Sequence, residues 1–237
     1  MQTGIGTQPD RAPEVLACFS QGERMRIVCL SDTHNLHRSI TVPMRGDLLI
    51  HAGDFSFFFE DRPAIRDFNA WLGELPFLHK VVVPGNHERI MYDRPQLRKL
   101  ITNATLLINE ELIVHGIKLW GSPVTCDDEA FGYSTANERC ALYKTIPADT
   151  DILITHGPPS GILDVEFSAN GVHRGCPELL AAVQRVNPHV HIFGHVHRSR
   201  GAARIGPTTF INAALLGWSG DLEHRPIAFD FPFAGRR

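Results

Sequence analysis

The sequence predicts an α/β protein with mixed β-sheets, and three observations support this fold class. Short apolar and β-branched segments alternate with segments of helical spacing, which is typical of strands that are buried beneath helices. Two short strands flank His115-Gly116 and predict a hairpin, so at least one strand pair is antiparallel. Hydrophobic residues make up 43% and charged residues 21% of the 237 residues, which excludes disorder as the main state.

Ten strands are predicted from short runs of apolar and β-branched residues. Each of the first three ends at a turn signal that contains Gly, Pro or Asp. In chain order the predicted strands are 25–30, 47–52, 80–83, 105–108, 112–114, 117–120, 151–155, 189–193, 208–213 and 227–231. The strands that alternate with helices are expected to be parallel and the later hairpins antiparallel, so the sheets are mixed.

Helices are predicted between several of these strands, at 64–75, 95–101 and 177–186. A long polar excursion, 123–147, contains one helical patch near 136–144 and is a candidate substrate lid, since long loops in compact domains are often functional. Residues 1–24 mix Gly, Gln, Thr, Pro and charges and are expected to form an N-terminal arm. Residues 25–237 are expected to form a single domain.

The charge balance and the cysteine spacing argue against several classes of protein, a nuclease on long nucleic acid among them. The net charge is −3, whereas a protein that binds long nucleic acid or an anionic membrane needs clustered Lys and Arg. Five cysteines without a C-x-x-C spacing support neither a disulfide framework nor a thiolate zinc site. The sequence has no signal-peptide pattern and no apolar run of membrane-spanning length, so we expect a cytoplasmic protein without a membrane partner.

Polar residues of the metal-binding types follow five of the predicted strands. They are Asp32-Thr33-His34, Gly53-Asp54, Gly85-Asn86-His87-Glu88, His156-Gly157 and Gly194-His195-Val196-His197. In α/β folds, ligands bind beyond the carboxyl ends of the strands, so we expect these side chains to share one site. Each motif alone is weakly or moderately specific, but together, in this order, they predict a metal site.

The types of ligand indicate which metals the site takes. Imidazole and carboxylate suit Mn, Fe, Zn or Ni, so we expect two divalent ions, Mn²⁺ first, with Fe, Zn, Ni or Mg as alternatives. About seven ligands are too many for one catalytic ion with open positions but enough for two ions bridged by a carboxylate and a hydroxide. With Asp32 and Asp54 as the carboxylates, such a centre keeps a net charge of about +1 and favours an anionic substrate such as a phosphate ester.

The same motifs resemble those of the calcineurin-like metallophosphoesterase superfamily, over about residues 25–213. Thr155-His156-Gly157-Pro158-Pro159, Gly161-Ile162-Leu163-Asp164 and Ile211-Asn212-Ala213 resemble its small metallophosphoesterase-domain-containing branch. The resemblance implies an αββα sandwich of two mixed β-sheets flanked by helices, with a dinuclear site at the sheet ends. It also implies a phosphodiesterase that hydrolyses small phosphodiesters, cyclic nucleotides included, by attack of a metal-bridging hydroxide.

The resemblance implies a role for each motif residue. Seven residues would hold the ions: Asp32, His34 and His197 one ion, Asn86, His156 and His195 the other, with Asp54 as the bridge. His87 would be the catalytic residue, which stabilises or protonates the leaving oxygen. Many superfamily phosphatases carry Gly-Asp-x-x-Asp, whose second acid pairs with this histidine, and here Phe57 takes that position.

Two residues outside the motifs are candidate substrate-binding residues. Tyr133 lies in the 123–147 excursion, and Arg174, which precedes a predicted helix, is of the type that contacts phosphate. A surface role is the alternative for Arg174. His51 and Asn212 are candidates for supporting the ligands from behind, with ordinary structural roles as the alternative.

Four phenylalanines crowd the turn after Asp54: Phe55, Phe57, Phe58 and Phe59. Local core or a subunit contact is the favoured interpretation. The alternative is an apolar wall on which a base or an aryl leaving group stacks.

Other functions stay open from the sequence. A catalytically idle binding protein that kept the scaffold is one alternative, although the complete ligand set argues against it. A phosphomonoesterase or protein phosphatase is another. The expected partner is a small-molecule phosphodiester, and the oligomeric state is left open.

Overall fold

A computed structural model describes residues 24–43, 45–57, 62–126, 131, 133–167 and 171–232. Apart from Arg24, the predicted N-terminal arm lies outside the described residues, as do Phe58 and Phe59. None of the described helices is long and apolar enough to cross a membrane.

The described residues form thirteen strands, four α-helices and several 3₁₀-helices. The strands are β1 (Arg24–Leu30), β2 (Leu48–His51), β3 (His79–Val82), β4 (Thr105–Leu106), β5 (Glu110–Val114), β6 (Ile117–Ser122), β7 (Ile152–Thr155), β8 (Val165–Phe167), β9 (Val172–His173), β10 (Val190–Phe193), β11 (Gly201–Ile205), β12 (Thr208–Asn212) and β13 (Ile227–Pro232). The α-helices are α1 (Arg62–Glu74), α2 (Ile90–Asp93), α3 (Ala136–Tyr143) and α4 (Pro177–Val186). The 3₁₀-helices are His37–Ser39, Asn86–Glu88, Pro95–Leu100 and His197–Ser199.

Two mixed sheets form the body of the fold. The first has the order β13-β1-β2-β3-β4, and the second has the order β11-β12-β10-β7-β6-β5. The central strands of each sheet are parallel, from β1 to β4 in the first and from β6 through β7 and β10 to β12 in the second. The pairs β1–β13, β5–β6 and β11–β12 are antiparallel. This arrangement confirms the prediction of mixed sheets.

The space between the two sheets is filled by apolar side chains. Ile27 and Ile50 of the first sheet and Leu119 and Ile152 of the second belong to one buried cluster, and all four are fully buried. Full burial of such a side chain contributes about 1.5–3 kcal/mol, so this layer supplies much of the stability.

Helices cover the outer faces of the sheets, which confirms the αββα sandwich. The alternate residues of β1 and β2, such as Val28 and Leu49, belong to a second buried cluster together with Phe68 of α1 and Leu179 of α4. In α1 the buried residues follow a spacing of three to four, which places them on one face of the helix.

The structure departs from the predicted elements in a few places. β11, the β8–β9 hairpin and α2 were not predicted, and the helix predicted at 95–101 is the 3₁₀-helix Pro95–Leu100. Within the polar excursion, α3 begins at a cap in which Thr135 and Glu138 accept each other's backbone N–H. Residues 127–130 and 132 of the excursion lie outside the described residues.

Candidate metal centre

The five predicted motifs meet at the carboxyl ends of strands from both sheets. β1, β2 and β3 of the first sheet are followed by Asp32 and His34, by Asp54, and by Asn86. β7 and β10 of the second sheet are followed by His156 and by the pair His195 and His197. Because the two sheets face each other, the turns after these strands form one continuous rim, the strand-end rim.

One set of donor atoms is formed by Asp32, His34 and His197. The Nε2 atoms of His34 and His197 lie 3.4 Å apart, and Nε2 of His197 lies 3.4 Å from Oδ1 of Asp32. One ligand atom from each residue lies within 4.8 Å of the others. Asp32 is fully buried and accepts a hydrogen bond of 2.5 Å from the Ser31 hydroxyl, which holds its carboxylate in place.

A second set is formed by Asn86, His156 and His195, with Asp54 between the two sets. Oδ1 of Asn86 lies 2.9 Å from Nε2 of His156 and 3.1 Å from Nδ1 of His195. Oδ1 of Asp54 lies 3.3 Å from Nε2 of His156, while its Oδ2 lies 3.9 Å from Nε2 of His34. Asp54 therefore turns one carboxylate oxygen toward each set.

The hydrogen bonds behind the histidines fix which nitrogen faces the site. Nδ1 of His34 contacts the Ser56 carbonyl at 3.1 Å, Nδ1 of His156 contacts the Ala52 carbonyl at 2.9 Å, and Nδ1 of His197 contacts the Gly217 carbonyl at 3.3 Å. Because a carbonyl oxygen only accepts, each Nδ1 is the donor and each Nε2 of a neutral ring presents a lone pair.

These lone pairs face one another and face carboxylate and amide oxygens, an arrangement that is repulsive unless cations lie between the donors. Together with the oxygen and nitrogen donor types, it fits two divalent metal ions.

The charges of the cluster are strongly coupled. Burial opposes ionisation of Asp54, but the neighbouring His156, His87 and His34 outweigh it and hold the pKa of Asp54 below its usual range. Burial also opposes protonation of His156, yet the Asp54 carboxylate outweighs this and raises the pKa of His156 to about 9. In the absence of metal, protons therefore take the place of the cations that these donors require.

The backbone of the strand-end rim is strained. Asp32, His34, Asp54 and His195 have φ of 54°, 38°, 55° and 69°, in the left-handed region that side chains rarely adopt. Position 85 requires glycine because Asp54 packs closely against its backbone, and a Cβ at this position would overlap Oδ1 of Asp54. Such strain persists only where surrounding contacts hold it, and it clusters at functional sites.

Glu88 is a residue of the site to which sequence reasoning gave no role. Its buried carboxylate accepts from the backbone N–H groups of Gly85, Asp54 and Ser56 at 2.8, 2.9 and 2.8 Å, and from the Ser56 hydroxyl at 2.7 Å. Burial and the nearby Asp54 raise the pKa of Glu88 to about 7, whereas the four donors favour its ionised form. In the sequence, the feature that indicated a role for Glu88 at the site was its position as the last residue of the motif Gly85-Asn86-His87-Glu88.

The candidate supporting residues lie behind the ligands. The buried His51 contacts Oγ1 of Thr33 at 3.1 Å through Nε2 and accepts from the Gly53 N–H at 3.3 Å, so it links the first two motifs. Burial lowers the pKa of His51 to about 3, which keeps the ring neutral. The amide of Asn212 donates to the Val196 carbonyl at 2.8 Å, between the two late histidines.

His87 lies beside the bridging aspartate. Its backbone N–H donates to Oδ1 of Asp54 at 3.0 Å, and its Nε2 lies 3.8 Å from Oδ2 of the same residue. His34, Asp54 and His87 also have ligand atoms within 4.8 Å of one another, so distance alone does not separate His87 from the ligands. Burial lowers the pKa of His87 to about 4, which leaves a neutral imidazole at neutral pH.

The two candidate substrate contacts make other interactions. Arg174 Nε donates to the Glu166 carboxylate, across the small β8–β9 sheet. The Tyr133 hydroxyl lies 3.5 Å from the side-chain nitrogen of Asn109, and its ring packs against the core. The structure does not place either residue among the metal-donor groups, and a role in substrate binding stays a prediction for both.

A further group of donors lies apart from the strand-end rim. Ligand atoms of Cys126, Cys176 and Glu178 come within 4.8 Å of one another, a proximity that their sequence spacing did not indicate. Arg139 Nε donates to the Glu178 carboxylate at 3.2 Å, and burial raises the pKa of the Cys176 thiol to about 12. A neighbouring guanidinium and a protonated thiol are poorly suited to a cation.

An αββα sandwich whose strand ends carry paired sets of Asp, Asn and His donors is the architecture of a metallophosphoesterase. Residues 25–199 match the sequence profile of the family described as Calcineurin-like phosphoesterase, and the chain belongs to this family.

Curated relatives and a solved structure agree with this assignment. Metallophosphoesterase domain-containing protein 1 of Homo sapiens is 37% identical over 236 residues, covering 87% of this chain and 71% of that protein. A UPF0046 protein of Caenorhabditis elegans is 38% identical over 235 residues, covering 88% of this chain and 82% of that protein. The crystal structure of the protein TT1561 of Thermus thermophilus has a TM-score of 0.54 at 13% identity, covering 80% of this chain and 89% of that chain, and shows the fold alone.

Proposed function

We propose that this protein is a dinuclear metal-dependent phosphodiesterase that hydrolyses small phosphodiesters, cyclic nucleotides among them. The observation that carries the proposal is the position of Asp54, which turns one oxygen toward each of two donor sets. Two-metal sites act on phosphate esters by holding the attacking and leaving oxygens in line. Membership of the phosphoesterase family supports the same reaction class.

Seven residues are the proposed ligands: Asp32, His34 and His197 for one ion, Asn86, His156 and His195 for the other, and Asp54 for both. Mn²⁺ is the proposed ion, and Fe, Zn, Ni and Mg are the alternatives that the same imidazole and carboxylate donors allow. Bound ions would polarise the phosphoryl oxygens and lower the pKa of the attacking water.

The chain's own contribution is orientation and hydrogen bonding. The carbonyls of Ser56, Ala52 and Gly217 hold three rings with Nε2 toward the site, so the ligands need little rearrangement. His87 is the proposed catalytic residue. As a neutral imidazole it would donate a hydrogen bond to the leaving oxygen, which stabilises the charge that develops there.

The charge of the cluster matches that of a phosphodiester. The donor side chains are Asp, Asn and His, so two ions with two aspartates and a hydroxide leave a net charge of about +1. A phosphodiester carries one negative charge, whereas a monoester carries about two near neutral pH. The singly charged diester therefore needs no further cationic side chain.

The test is hydrolysis of bis-p-nitrophenyl phosphate and p-nitrophenyl phosphate by chelator-stripped protein with Mn²⁺ added back. We expect metal-dependent cleavage of the diester that Asp54→Ala abolishes. His87→Ala should keep the metal content and lower kcat by about 10²–10³-fold, the usual cost of removing one hydrogen-bond donor from a developing negative charge.

Each other outcome points to a named alternative. Cleavage of the monoester alone would make the protein a phosphomonoesterase. Bound metal without turnover of either ester, with any of the candidate ions, would favour the idle scaffold. Loss of metal in His87→Ala would make His87 a ligand. Asp230→Ala, which removes an exposed carboxylate paired with Arg26, is the matched control and should keep full activity.

A further inference from the structure

The phenylalanine-rich turn after Asp54 divides into a buried and an exposed part. Phe55 is fully buried and stacks on Phe68, with ring centroids 4.1 Å apart and an interplanar angle of 2°. Phe57, two residues later, is 49% exposed. Local core, one half of the favoured expectation, is confirmed for Phe55 but does not describe Phe57, for which a subunit contact stays a prediction.

Phe57 borders the metal-donor groups. Its ring stacks on His34 with centroids 5.1 Å apart at 28°, and it lies 6.3 Å from the ring of His87 at 53°. The exposed side chain thus lies next to one proposed ligand and the proposed catalytic residue. The Phe57 side chain is 49% exposed at this position, so a ligand that enters the site can cover part of it.

Support of His34 does not account for this ring. The His34 imidazole is already fixed by the Ser56 carbonyl at 3.1 Å, and the His34 backbone N–H donates to the Asp54 carbonyl at 3.1 Å. One face of Phe57 is sufficient for its contact with His34, and half of the side chain remains open to solvent.

We propose that Phe57 forms a subsite that stacks an aromatic ring carried by the phosphate ester, a nucleobase or an aryl group. The inference rests on the proposed phosphodiesterase function and adds the substrate class: esters with a ring close to the phosphate. Stacking of one base on an aromatic side chain corresponds to about 5–150-fold in affinity, and it tolerates different bases because each presents a π-face.

The test compares two probes that differ by the base alone, adenosine 5′-monophosphate and ribose 5-phosphate. Their dissociation constants are measured by calorimetry on the Mn²⁺-loaded protein. We expect the wild type to bind the adenosine compound at least about 5-fold more tightly. Phe57→Ala should remove this difference and leave the affinity for ribose 5-phosphate within about twofold. Phe57→Trp should retain the difference, and Phe57→Leu, which keeps an apolar side chain without a π-face, should lose most of it.

Several results would overturn the inference. Equal binding of the two probes by the wild type, or binding of neither, would remove the subsite. Equal weakening of both probes in Phe57→Ala, with a lower Mn²⁺ content, would make Phe57 a positioning residue for His34. Trp218, which follows Gly217, is a second exposed aromatic residue, and Cζ of Arg198 lies 4.7 Å from the centroid of its ring. Loss of the base preference in Trp218→Ala but not in Phe57→Ala would place the subsite at Trp218 instead.

The same preparation separates failure of the subsite from failure of the proposed function. Turnover of bis-p-nitrophenyl phosphate by the wild type, without a base preference in binding, would overturn the subsite and leave the phosphodiesterase. A base preference that depends on Phe57, without turnover, would leave a phosphate-binding scaffold with an aromatic subsite.

Discussion

The layer between the two sheets and the strand-end rim are built in opposite ways. Between the sheets, residues such as Ile27 and Ile152 are apolar, fully buried and part of regular strands. At the rim, buried or half-buried carboxylates and imidazoles lie on turns with φ between 38° and 69°. Each such turn costs about 1–3 kcal/mol, which the packed layer must offset. The apolar layer therefore provides the free energy that offsets the backbone strain at the rim, where the reactive groups are held together.

This difference predicts a division of effects. Changes at the rim should alter metal binding and activity, whereas changes between the sheets should alter the free energy of unfolding and leave the chemistry of the folded protein intact. The substitutions below test that division, from the largest expected effect to the smallest.

Asp54→Asn should have the largest effect, on activity. The change keeps the shape of the side chain but removes the charge that faces both donor sets, so we expect a loss of diester hydrolysis of at least about 10³-fold. Mn²⁺ should raise the melting temperature of the wild type and not that of the variant, because a ligand stabilises only the state that binds it. Circular dichroism checks the fold, and Asp230→Asn is the matched control.

Ile27→Ala should have the largest effect on stability. Its side chain is fully buried between the sheets, so its truncation should cost about 2–5 kcal/mol in urea unfolding. The activity of the folded variant should stay within about twofold of the wild type. Ile113→Ala makes the same chemical change at a side chain that is 59% exposed, and it should cost less than about 0.5 kcal/mol. A loss of activity in Ile27→Ala without a loss of stability would contradict the division.

The features of the two regions that depend on local sequence patterns, namely the strands and the motifs that follow them, could be predicted from the sequence. The strands β1, β2 and β3 are short apolar runs that are followed by turns with Gly, Pro or Asp, so their ends could be located within a residue or two. Because parallel strands bring their carboxyl ends to one edge, the motifs from Asp32 to His197 could be expected at one site, and the structure brings them together.

The parts that could not be predicted depend on contacts between distant segments. β11 begins with Gly201, Ala202 and Ala203, which show no alternation of large apolar and polar residues. It is a strand because it pairs with β12, and that pairing could not be seen in its own sequence. The four donors around Glu88 come partly from residues more than 30 positions away. Phe55 and Phe57 look alike in sequence, and only the path of the turn decides which is buried.

His191→Gln should change how stability depends on pH. This fully buried histidine lies within β10 and is not one of the proposed metal ligands; its Nε2 donates to Oγ1 of Thr155 at 2.8 Å, and burial lowers its pKa to about 3. Below pH 6.5 the imidazole is protonated in the unfolded chain but stays neutral in the folded protein. The free energy of unfolding therefore falls as pH falls from 6.5 toward 3. Between pH 7 and pH 5 this one residue should cost about 2 kcal/mol.

The measurement for His191 is urea unfolding of the metal-free protein at pH 7 and pH 5. The loss of stability between the two pH values should be about 2 kcal/mol smaller in His191→Gln than in the wild type. The exposed His189→Gln is the matched control and should behave as the wild type does. Equal pH dependence in all three proteins would show that the fully buried His191 can be charged as readily as a histidine on the surface.

His115→Asn should have the smallest effect and tests whether backbone strain is costly away from the rim. His115 and Gly116 form the two-residue turn of the β5–β6 hairpin, with φ of 49° and 83°, and Asn-Gly is the favoured pair for such a turn. We expect a gain of about 0.5–1 kcal/mol, seen as a rise of about 2 °C in the melting temperature, without a change in activity. A lower melting temperature would mean that the 3.1 Å contact of His115 with His79 outweighs the strain.

His34→Asn makes the same substitution at a residue with φ of 38°, on the strand-end rim. Asparagine tolerates this backbone conformation better than histidine, so the turn itself should again be relieved. Here, however, the imidazole that faces His197 is lost, and with it one proposed metal ligand. We expect His115→Asn to keep its activity and His34→Asn to lose metal and turnover. That result would show that left-handed backbone strain is incidental in the hairpin and tied to function at the rim.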